Sequence, residues 1–208
     1  MGRPREFDEA QVLDAAVQCF WKHGYEATSM HDLVARTGLT KASLYNAFDD
    51  KRGLYGRALE HYIAASFADR VQRFEGQLPP LEAIRAFFAE IIQHSVNDRQ
   101  RRGCMLINSA LETAPHDPEF RDIVNDVLSQ IEGFFFRNVQ AGQRDGSIQS
   151  AIPAADLGRM LLGLHIGVRV LARTKPEKAL LEGMIRPALT LLEPPAAAPA
   201  RRKSVPLK

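Results

Sequence analysis

The 208-residue chain has little cysteine and no long hydrophobic run, and each shortage excludes a class of protein. Its two cysteines, Cys19 and Cys104, lie far apart in sequence, which excludes a disulfide framework and gives no indication of export. The most apolar stretch, residues 160–172, is too short to cross a bilayer and includes His165 and Arg169. We therefore expect a cytoplasmic protein with reduced thiols and no membrane association.

An excess of positive charge is also missing, because 27 lysines and arginines face 25 acidic residues. Nucleic-acid binding therefore cannot be inferred from bulk charge and has to rest on local structure. The sequence contains no phosphate-binding loop, no dinucleotide glycine pattern and no nucleophile elbow. It also contains no Cys-x-x-Cys and no histidine pair with the spacing of zinc ligands. We expect neither an enzyme nor a cofactor or metal site.

The sequence does have helical periodicity along most of its length. Leu13, Ala16 and Phe20 recur at i, i+3 and i+7 after Asp8, and Gly24 is suited to a left-handed C-cap. The period-two alternation that is typical of exposed strands is rare. The chain is therefore predicted to be all-α. Longer helices are predicted over residues 51–74, 81–97, 103–112, 119–142, 154–173 and 176–192.

Residues 28–48 have the form of a helix-turn-helix, with a short helix, a glycine-bearing turn and a second short helix. Thr28-Ser29 and Thr40 offer candidate N-cap hydroxyls, and the hydroxyls of Thr28 and Thr40 can also reach phosphates. Leu44 and Phe48 stand at i and i+4 and are expected to pack inward. A helix that enters the major groove needs a small or polar outer face. The residues that provide this face are Lys41, Ala42, Ser43 and Asn46.

Together with their neighbours, these residues resemble the TetR/AcrR family of bacterial regulators over roughly the first quarter of the chain. The combined pattern is more specific than a bare helix-turn-helix. The resemblance implies an all-α fold, with an N-terminal three-helix helix-turn-helix DNA-binding domain and a C-terminal helical bundle for ligand binding and dimerisation. It is carried by Ala15-Ala16, Phe20, Gly24-Tyr25, Thr28-Ser29-Met30, Leu33-Val34, residues 37–41, Ser43-Leu44-Tyr45-Asn46, Phe48, Lys51 and Leu54.

The expected organisation has three parts. Residues 1–53 are expected to form the helix-turn-helix DNA-binding domain, and residues 54–193 the ligand-sensing and dimerisation domain. Residues 194–208 are rich in alanine, proline and basic side chains, which cannot bury a core. We expect this last segment to be a disordered basic tail.

Double-stranded operator DNA is the partner that the resemblance implies. The first 60 residues hold eight lysines and arginines against nine acidic residues. Affinity therefore has to come from the placement of charge, with acidic groups such as Asp8, Glu9 and Asp14 pointing elsewhere. Arg3 and Arg5 form a short basic arm suited to the minor groove or to flanking phosphates. The resemblance implies DNA contacts from Lys41, Ala42, Ser43, Tyr45 and Asn46, and phosphate contacts from Thr28, Thr40 and Lys51.

The resemblance further implies a homodimer, usually a repressor that a small molecule releases from palindromic DNA. The last two long helices are expected to form the dimer interface. Gly158, Gly163 and Gly167 allow close helix approach there, and an intramolecular core is the alternative. The sequence does not distinguish repression from activation.

An effector pocket is expected inside the C-terminal bundle, although core packing is the ordinary role of each candidate side chain. The run Phe134-Phe135-Phe136 cannot all face one way on a helix, so part of it is expected to meet a neighbouring helix or subunit. The candidate pocket residues are Phe87, Phe88, Ile91, Cys104, Met105, Asn108, Phe134, Phe135, Met160 and His165.

Cys104 has two interpretations. It follows two arginines at a predicted helix start, and both features favour a thiolate, so it is a candidate sensor of oxidants or electrophiles. The alternative is a small buried side chain that packs as a hydrophobe. A thiol-sensing regulator is therefore one alternative to a ligand-released repressor. The other is a ligand-independent architectural DNA-binding protein, which would need more positive charge and no apolar bundle.

Overall fold

The computed structural model describes residues 7–193, and these residues form helices joined by short turns. The helices are α1 (Glu9–His23), α2 (Met30–Thr37), α3 (Lys41–Phe48), α4 (Lys51–Ile63), α5 (Asp69–Phe74), α6 (Pro80–Asn97), α7 (Met105–Glu112), α8 (Pro118–Asp145), α9 (Ala154–Thr174) and α10 (Lys178–Leu192). A π-helical segment, Ala64–Ala68, joins α4 to α5. This arrangement confirms the all-α fold predicted from the sequence.

Polar side chains fix where the short N-terminal helices begin. Asp8 accepts hydrogen bonds from two backbone N–H groups in the first turn of α1, and Asp50 caps α4 by accepting one from the Gly53 N–H. Ser29 and Asp32 form a reciprocal capping box at the start of α2. Gly38 ends α2 in the left-handed conformation, with a φ of 72°. These caps satisfy backbone groups that a helix end leaves unpaired.

Helices α1 to α4 form an N-terminal domain around a small apolar core. Helix α1 packs against α2 and α4, and α3 packs against α4. Leu33, Leu44 and Phe48 are at most 3% exposed. Because α3 buries the face that carries Leu44 and Phe48, its opposite face is held outward.

Helices α6 to α10 form a C-terminal bundle with an aromatic centre. The ring of Phe87 lies between Phe134 and Phe135, at centroid distances of 5.3 and 5.0 Å. The ring of Phe88 stacks on Phe135 at 5.3 Å. Aromatic pairs at these separations add specific ring contacts to the hydrophobic stabilisation of burial.

The three consecutive phenylalanines of α8 divide between two surroundings, as helical geometry requires. Phe134 and Phe135 are fully buried, whereas Phe136 is half-buried. The backbone of Phe136 lies against Gly158 of α9, where an added Cβ would be 3.3 Å from the Phe136 nitrogen. Gly158 therefore lets α8 and α9 approach closely within one chain.

Polar contacts join the N-terminal domain to the bundle. Arg52 of α4 donates to Asp117 at 2.7 Å and to Glu119 at 2.5 Å, at the start of α8. Glu112 at the end of α7 accepts a hydrogen bond at 2.9 Å from the backbone N–H of Glu26, in the turn before α2. These contacts tie α7 and the start of α8 to α4 and to the turn before α2.

The helix predicted over residues 51–74 begins at Lys51 in the structure, as expected, and the expected domain boundary between residues 53 and 54 lies inside it. It differs from the prediction because the π-helical segment interrupts it, and there the hydrogen-bond ladder widens for one turn. Apolar spacing alone does not reveal such a turn, because the pattern shifts by a single residue.

The predicted arm of Arg3 and Arg5 and the predicted basic tail, residues 194–208, lie outside the described residues. Within residues 7–193, none of the helices combines the length and the hydropathy needed to cross a membrane.

Candidate functional site

One face of α3 carries four exposed side chains in a continuous strip. Lys41 and Ala42 lie in its first turn, and Tyr45 and Asn46 lie one turn later. Residues four apart share a helix face, so these four side chains adjoin one another. Tyr45 is 39% exposed although it is a large aromatic residue. We call Lys41, Ala42, Tyr45 and Asn46 the α3 strip, which offers an ammonium, a phenol and an amide for hydrogen bonding.

Two hydroxyl groups fix the start of α3. The backbone N–H of Ser43 donates to the Thr40 hydroxyl at 3.1 Å, and the two hydroxyl oxygens are 2.9 Å apart. Thr40 is exposed, whereas Ser43 is half-buried and stands beside the α3 strip. The Lys41 ammonium lies 5.7 Å from the centroid of the Tyr45 ring, a cation–π contact that keeps the charge over the strip.

Thr28 is not placed for the phosphate contact predicted from the sequence. Its side chain is 0% exposed, and its hydroxyl donates to the carbonyl of Gly24 at 2.6 Å. The exposed Ser29 is the N-cap of α2 instead. The prediction that the Thr28 hydroxyl reaches a phosphate is therefore wrong, because two adjacent hydroxyl residues do not show in sequence which of them turns inward.

Lys51 lies at the start of α4, beside the turn that precedes α2. Its ammonium donates to the carbonyl of Glu26 at 3.2 Å and lies 4.5 Å from the centroid of the Tyr25 ring. Neither contact neutralises the positive charge, which stays available to a phosphate.

Several acidic side chains of the N-terminal domain are engaged in contacts with other helices or in capping. Glu9 pairs with Arg57 at 2.8 Å, and Asp14 pairs with His61 at 2.8 Å. Both carboxylates of α1 are therefore held by side chains of α4. The acids that cap helices are Asp8, Asp32 and Asp50.

The pocket predicted among the aromatic residues of the bundle is closed in the structure. The void beside these residues has a volume of about 20 Å³, room for one water molecule. Six of the predicted pocket residues are at most 1% exposed and form the core, which corrects the prediction that they line an effector pocket. They are Phe87, Phe88, Ile91, Met105, Phe134 and Phe135.

Asn108 and Met160 have other surroundings than the predicted pocket. The amide nitrogen of Asn108 donates to the carbonyl of Arg102 at 3.0 Å, and its amide oxygen accepts from Arg173 at 3.2 Å. Met160 is half-buried on α9. Asn108 therefore braces the turn before α7.

His165 is buried in α9 against Phe87, with ring centroids 5.4 Å apart. Its Nδ1 has no hydrogen-bond partner in the described part of the chain. Burial, reinforced by the nearby charges of Arg169 and Arg70, lowers the pKa of His165 to about 3. The ring is therefore neutral at physiological pH.

A cleft of about 450 Å³ opens where the N-terminal domain meets the bundle. Its walls include Trp21 of α1, Tyr62 of α4, Ser66 of the π-helical segment, Ser95 of α6 and Arg169 of α9. This volume lies within the range of small-molecule sites, about 300–1,000 Å³. Sequence analysis missed the cleft because its walls come from segments far apart in the chain.

Cys104 is the N-cap of α7 and is 6% exposed. The Tyr62 hydroxyl donates to its sulfur at 3.5 Å. Burial acts to raise the pKa of the thiol, but the Arg169 guanidinium, the Ile107 N–H and Tyr62 outweigh burial, so the pKa of Cys104 is lowered. The structure therefore combines the burial of a core residue with surroundings that favour a thiolate.

Two family models match the chain. "Bacterial regulatory proteins, tetR family" matches residues 12–58, and "Tetracyclin repressor-like, C-terminal domain" matches residues 80–187. The chain belongs to the TetR family. The first match spans the α3 strip, and the second spans most of the bundle.

Two transcriptional regulators match nearly the whole chain. The uncharacterized HTH-type transcriptional regulator YezE of Bacillus subtilis (strain 168) is 30% identical over 194 residues, 93% of this chain and 100% of YezE. The HTH-type transcriptional repressor ComR of Escherichia coli (strain K12) is 31% identical over 192 residues, 92% of this chain and 90% of ComR. These matches identify the chain as a transcriptional regulator with a helix-turn-helix DNA-binding domain.

A solved structure of a family member has the same fold and contains DNA. It is the TetR-family regulator CifR with substituted cysteines, complexed with 26-base-pair double-stranded operator DNA. It matches this chain with a TM-score of 0.79 at 26% identity, covering 90% of this chain and 98% of the CifR chain.

Proposed function

We propose that this TetR-family regulator is a homodimeric repressor that binds palindromic operator DNA through the α3 strip and is released by a small molecule. The observation that carries the proposal is the α3 strip, which is exposed on a helix whose other face is anchored by Leu44 and Phe48. Such a helix fits a major groove about 12 Å wide. ComR is named a repressor, and the CifR structure contains operator DNA, which supports the same role here.

An apolar face on α9 and α10 supports the homodimer. Val170 and Leu191 are 41% and 42% exposed. An added Cβ on Gly163 or Gly183 would meet no atom within 4 Å, which leaves room for the close approach of a second copy. Four helices around a two-fold axis would place two reading helices at half-sites about 34 Å apart. Half-buried apolar residues on the same two helices are Met160, Leu164, Leu171, Leu180 and Met184.

The contacts between the two domains support release by a ligand. Arg52 meets Asp117, and Glu112 meets the Glu26 backbone, so the N-terminal domain follows the bundle. A ligand that favours one arrangement of the bundle therefore selects one spacing of the two α3 strips. Operator half-sites have a fixed separation, and a dimer with another spacing binds them poorly.

Alanine substitutions in the α3 strip should weaken operator binding. We expect Lys41→Ala and Tyr45→Ala each to weaken binding about tenfold or more, because a DNA contact contributes about 1–3 kcal/mol and a dimer loses two of them. Fluorescence anisotropy with labelled DNA from upstream of the protein's own gene measures the affinity. Lys41→Ala should also flatten the dependence of affinity on salt concentration, since it removes a cation that displaces counterions from DNA.

Lys178→Ala is the matched control for this experiment, because it removes an exposed lysine from α10. It should bind the operator like the wild type. Circular dichroism and gel filtration check that all variants are helical dimers. Normal binding by both α3 variants would contradict the assignment of the α3 strip to DNA.

A second candidate function is that of a regulator that senses oxidants or electrophiles through Cys104. The observation that favours it is the lowered pKa of this thiol beside Arg169, since the thiolate is the reactive form. We expect N-ethylmaleimide or hydrogen peroxide to release the wild type from DNA and to leave Cys104→Ser bound. Cys19→Ser is the matched control, because burial raises the pKa of Cys19. Unchanged operator binding by the treated wild type would remove this candidate.

A further inference from the structure

Arg169 of α9 is a buried cation with no aspartate or glutamate partner within residues 7–193. Its side chain is 6% exposed. Nη1 lies 3.2 Å from the Ser95 hydroxyl and Nη2 lies 3.3 Å from the Tyr62 hydroxyl, while Nε donates to no group in the described chain. Burial of a guanidinium without a counter-charge is costly, so this position calls for an anion.

The other two arginines of the cleft have carboxylate partners. His94 adds no charge at neutral pH, because burial and the charge of Arg70 lower the pKa of its imidazole. Among the arginines of the cleft, Arg169 is therefore the one that contacts no carboxylate of the described chain. The paired arginines are Arg70, which lies 2.7 Å from Glu90, and Arg102, which lies 3.2 Å from Asp98.

Arg169 lies in the wall of the 450 Å³ cleft together with apolar and aromatic side chains. Trp21 and Val17 of α1 line one part of it, and Ala65 of the π-helical segment and Ala172 of α9 line others. A molecule in the cleft would touch the N-terminal domain, the π-helical segment and the bundle at the same time.

We propose that this cleft is the effector site and that the effector is a small organic anion whose carboxylate pairs with Arg169. The inference rests on the proposed function, because it names the chemical class of the releasing molecule. A guanidinium binds a carboxylate through two parallel hydrogen bonds, and the apolar wall fits a hydrocarbon or aromatic body. The bound anion fixes α1 and the π-helical segment against α9, and the position of the α3 strip changes with them.

The thiolate of Cys104 is the other anion that can face Arg169, because the guanidinium lies against this sulfur. The two arrangements differ in what Cys104→Ser does. If a carboxylate ligand is the counter-charge, the serine variant keeps a preference for carboxylates that the wild type already has. If the thiolate is the counter-charge, the preference exists only after the sulfur is removed.

Trp21 is the single tryptophan of the chain and lines the cleft, so its fluorescence reports occupancy. The probes are three pairs of nearly equal shape, acetate with acetamide, hexanoate with hexanamide and benzoate with benzamide. We expect hexanoate or benzoate to shift the Trp21 emission with a dissociation constant about tenfold or more below that of its amide. The two members of a pair differ in charge, which isolates the contact with Arg169.

Substitutions on α9 test whether Arg169 causes the preference for a carboxylate over its amide. Arg169→Gln should abolish it, and Arg169→Lys should keep part of it because the charge remains. Arg159→Gln is the matched control, since Arg159 lies on the same helix and is 66% exposed. Thermal unfolding checks that each variant is folded. If Arg169→Gln does not fold, the comparison of carboxylates with their amides on the wild-type protein still tests the inference.

Equal affinity of the wild type for every carboxylate and its amide would overturn the inference, as would an unchanged Trp21 emission with all probes up to about 20 mM. A carboxylate preference confined to Cys104→Ser would also overturn it. Operator binding, measured separately, distinguishes the two proposals. Binding to the operator without a carboxylate preference refutes only this inference, and a carboxylate preference without operator binding refutes only the proposed function.

Discussion

Replacing Gly53 with alanine is expected to abolish specific operator binding while the C-terminal bundle stays folded. A Cβ on Gly53 would lie 2.2 Å from the carbonyl oxygen of Phe48, the last residue of α3. A backbone oxygen cannot rotate away as a side chain can, so α3 and α4 have to separate. Overpacking of this kind costs about 1–3 kcal/mol, and here the displaced element carries the α3 strip.

The turn between α3 and α4 leaves no room to absorb the clash. Asp49 has a φ of 65°, an uncommon conformation for a residue other than glycine. The Asp50 N–H donates to the Phe48 carbonyl at 2.8 Å, and the Asp50 carboxylate accepts from the Gly53 N–H at 2.7 Å. The same hydrogen bonds that orient α3 would therefore be lost.

Gly56→Ala provides the matched control, three residues further along α4. An added Cβ there would be 3.6 Å from a ring carbon of Phe120, an ordinary contact. Alanine is a better helix former than glycine by about 1 kcal/mol, so this variant should bind the operator normally and melt at the same or a higher temperature. Anisotropy and thermal unfolding measure both variants. Wild-type affinity in Gly53→Ala would show that α3 and α4 do not depend on the close approach.

Acidification is expected to destabilise the protein through His165. The unfolded chain binds a proton at a histidine near pH 6.5, whereas burial lowers the pKa of folded His165 to about 3. Between these values the unfolded state holds one more proton than the folded state. The contribution of His165 to stability is therefore complete above pH 6.5 and falls as the pH is lowered, by at most about 1.4 kcal/mol per pH unit.

The His165→Gln variant isolates this contribution, because glutamine does not titrate. The free energy of unfolding, measured with urea at pH 7.5 and pH 5.0, should fall between the two conditions by about 2 kcal/mol more in the wild type than in the variant. His116→Gln is the control, since His116 is exposed on the surface. An equal fall in the wild type and in His165→Gln would mean that His165 takes up its proton in the folded state.

The helix-turn-helix and its outer face could be predicted from the sequence because local patterns specify them. Leu44 and Phe48 stand one turn apart, so burial of both leaves Lys41, Tyr45 and Asn46 outside whatever the rest of the chain does. Thr40 caps α3 through a hydrogen bond to a residue three positions away. Interactions over such short separations are visible in sequence.

Other features of the site depended on neighbours that are distant along the chain. Thr28 and Ser29 are adjacent and chemically alike, and only the packing of α2 turned Thr28 inward. Gly53 is required by the carbonyl of Phe48, not by a positive φ that a turn motif would indicate. The aromatic residues of α6 and α8 had a composition suited to a pocket, but their rings fill the space between the helices.

The sequence by itself determined that this protein is helical, that it belongs with the TetR regulators and which side of α3 faces outward, because periodicity and caps act within a few residues of one another. Only the tertiary structure decided that the bundle centre is closed, that a cleft lies between the two domains and that Arg169 stands there without an acid. More than 30 residues of sequence separate Tyr62 from Ser95, and more than 30 separate Ser95 from Arg169. The packing of whole helices decides which groups surround a buried charge, and a local sequence pattern therefore cannot predict them.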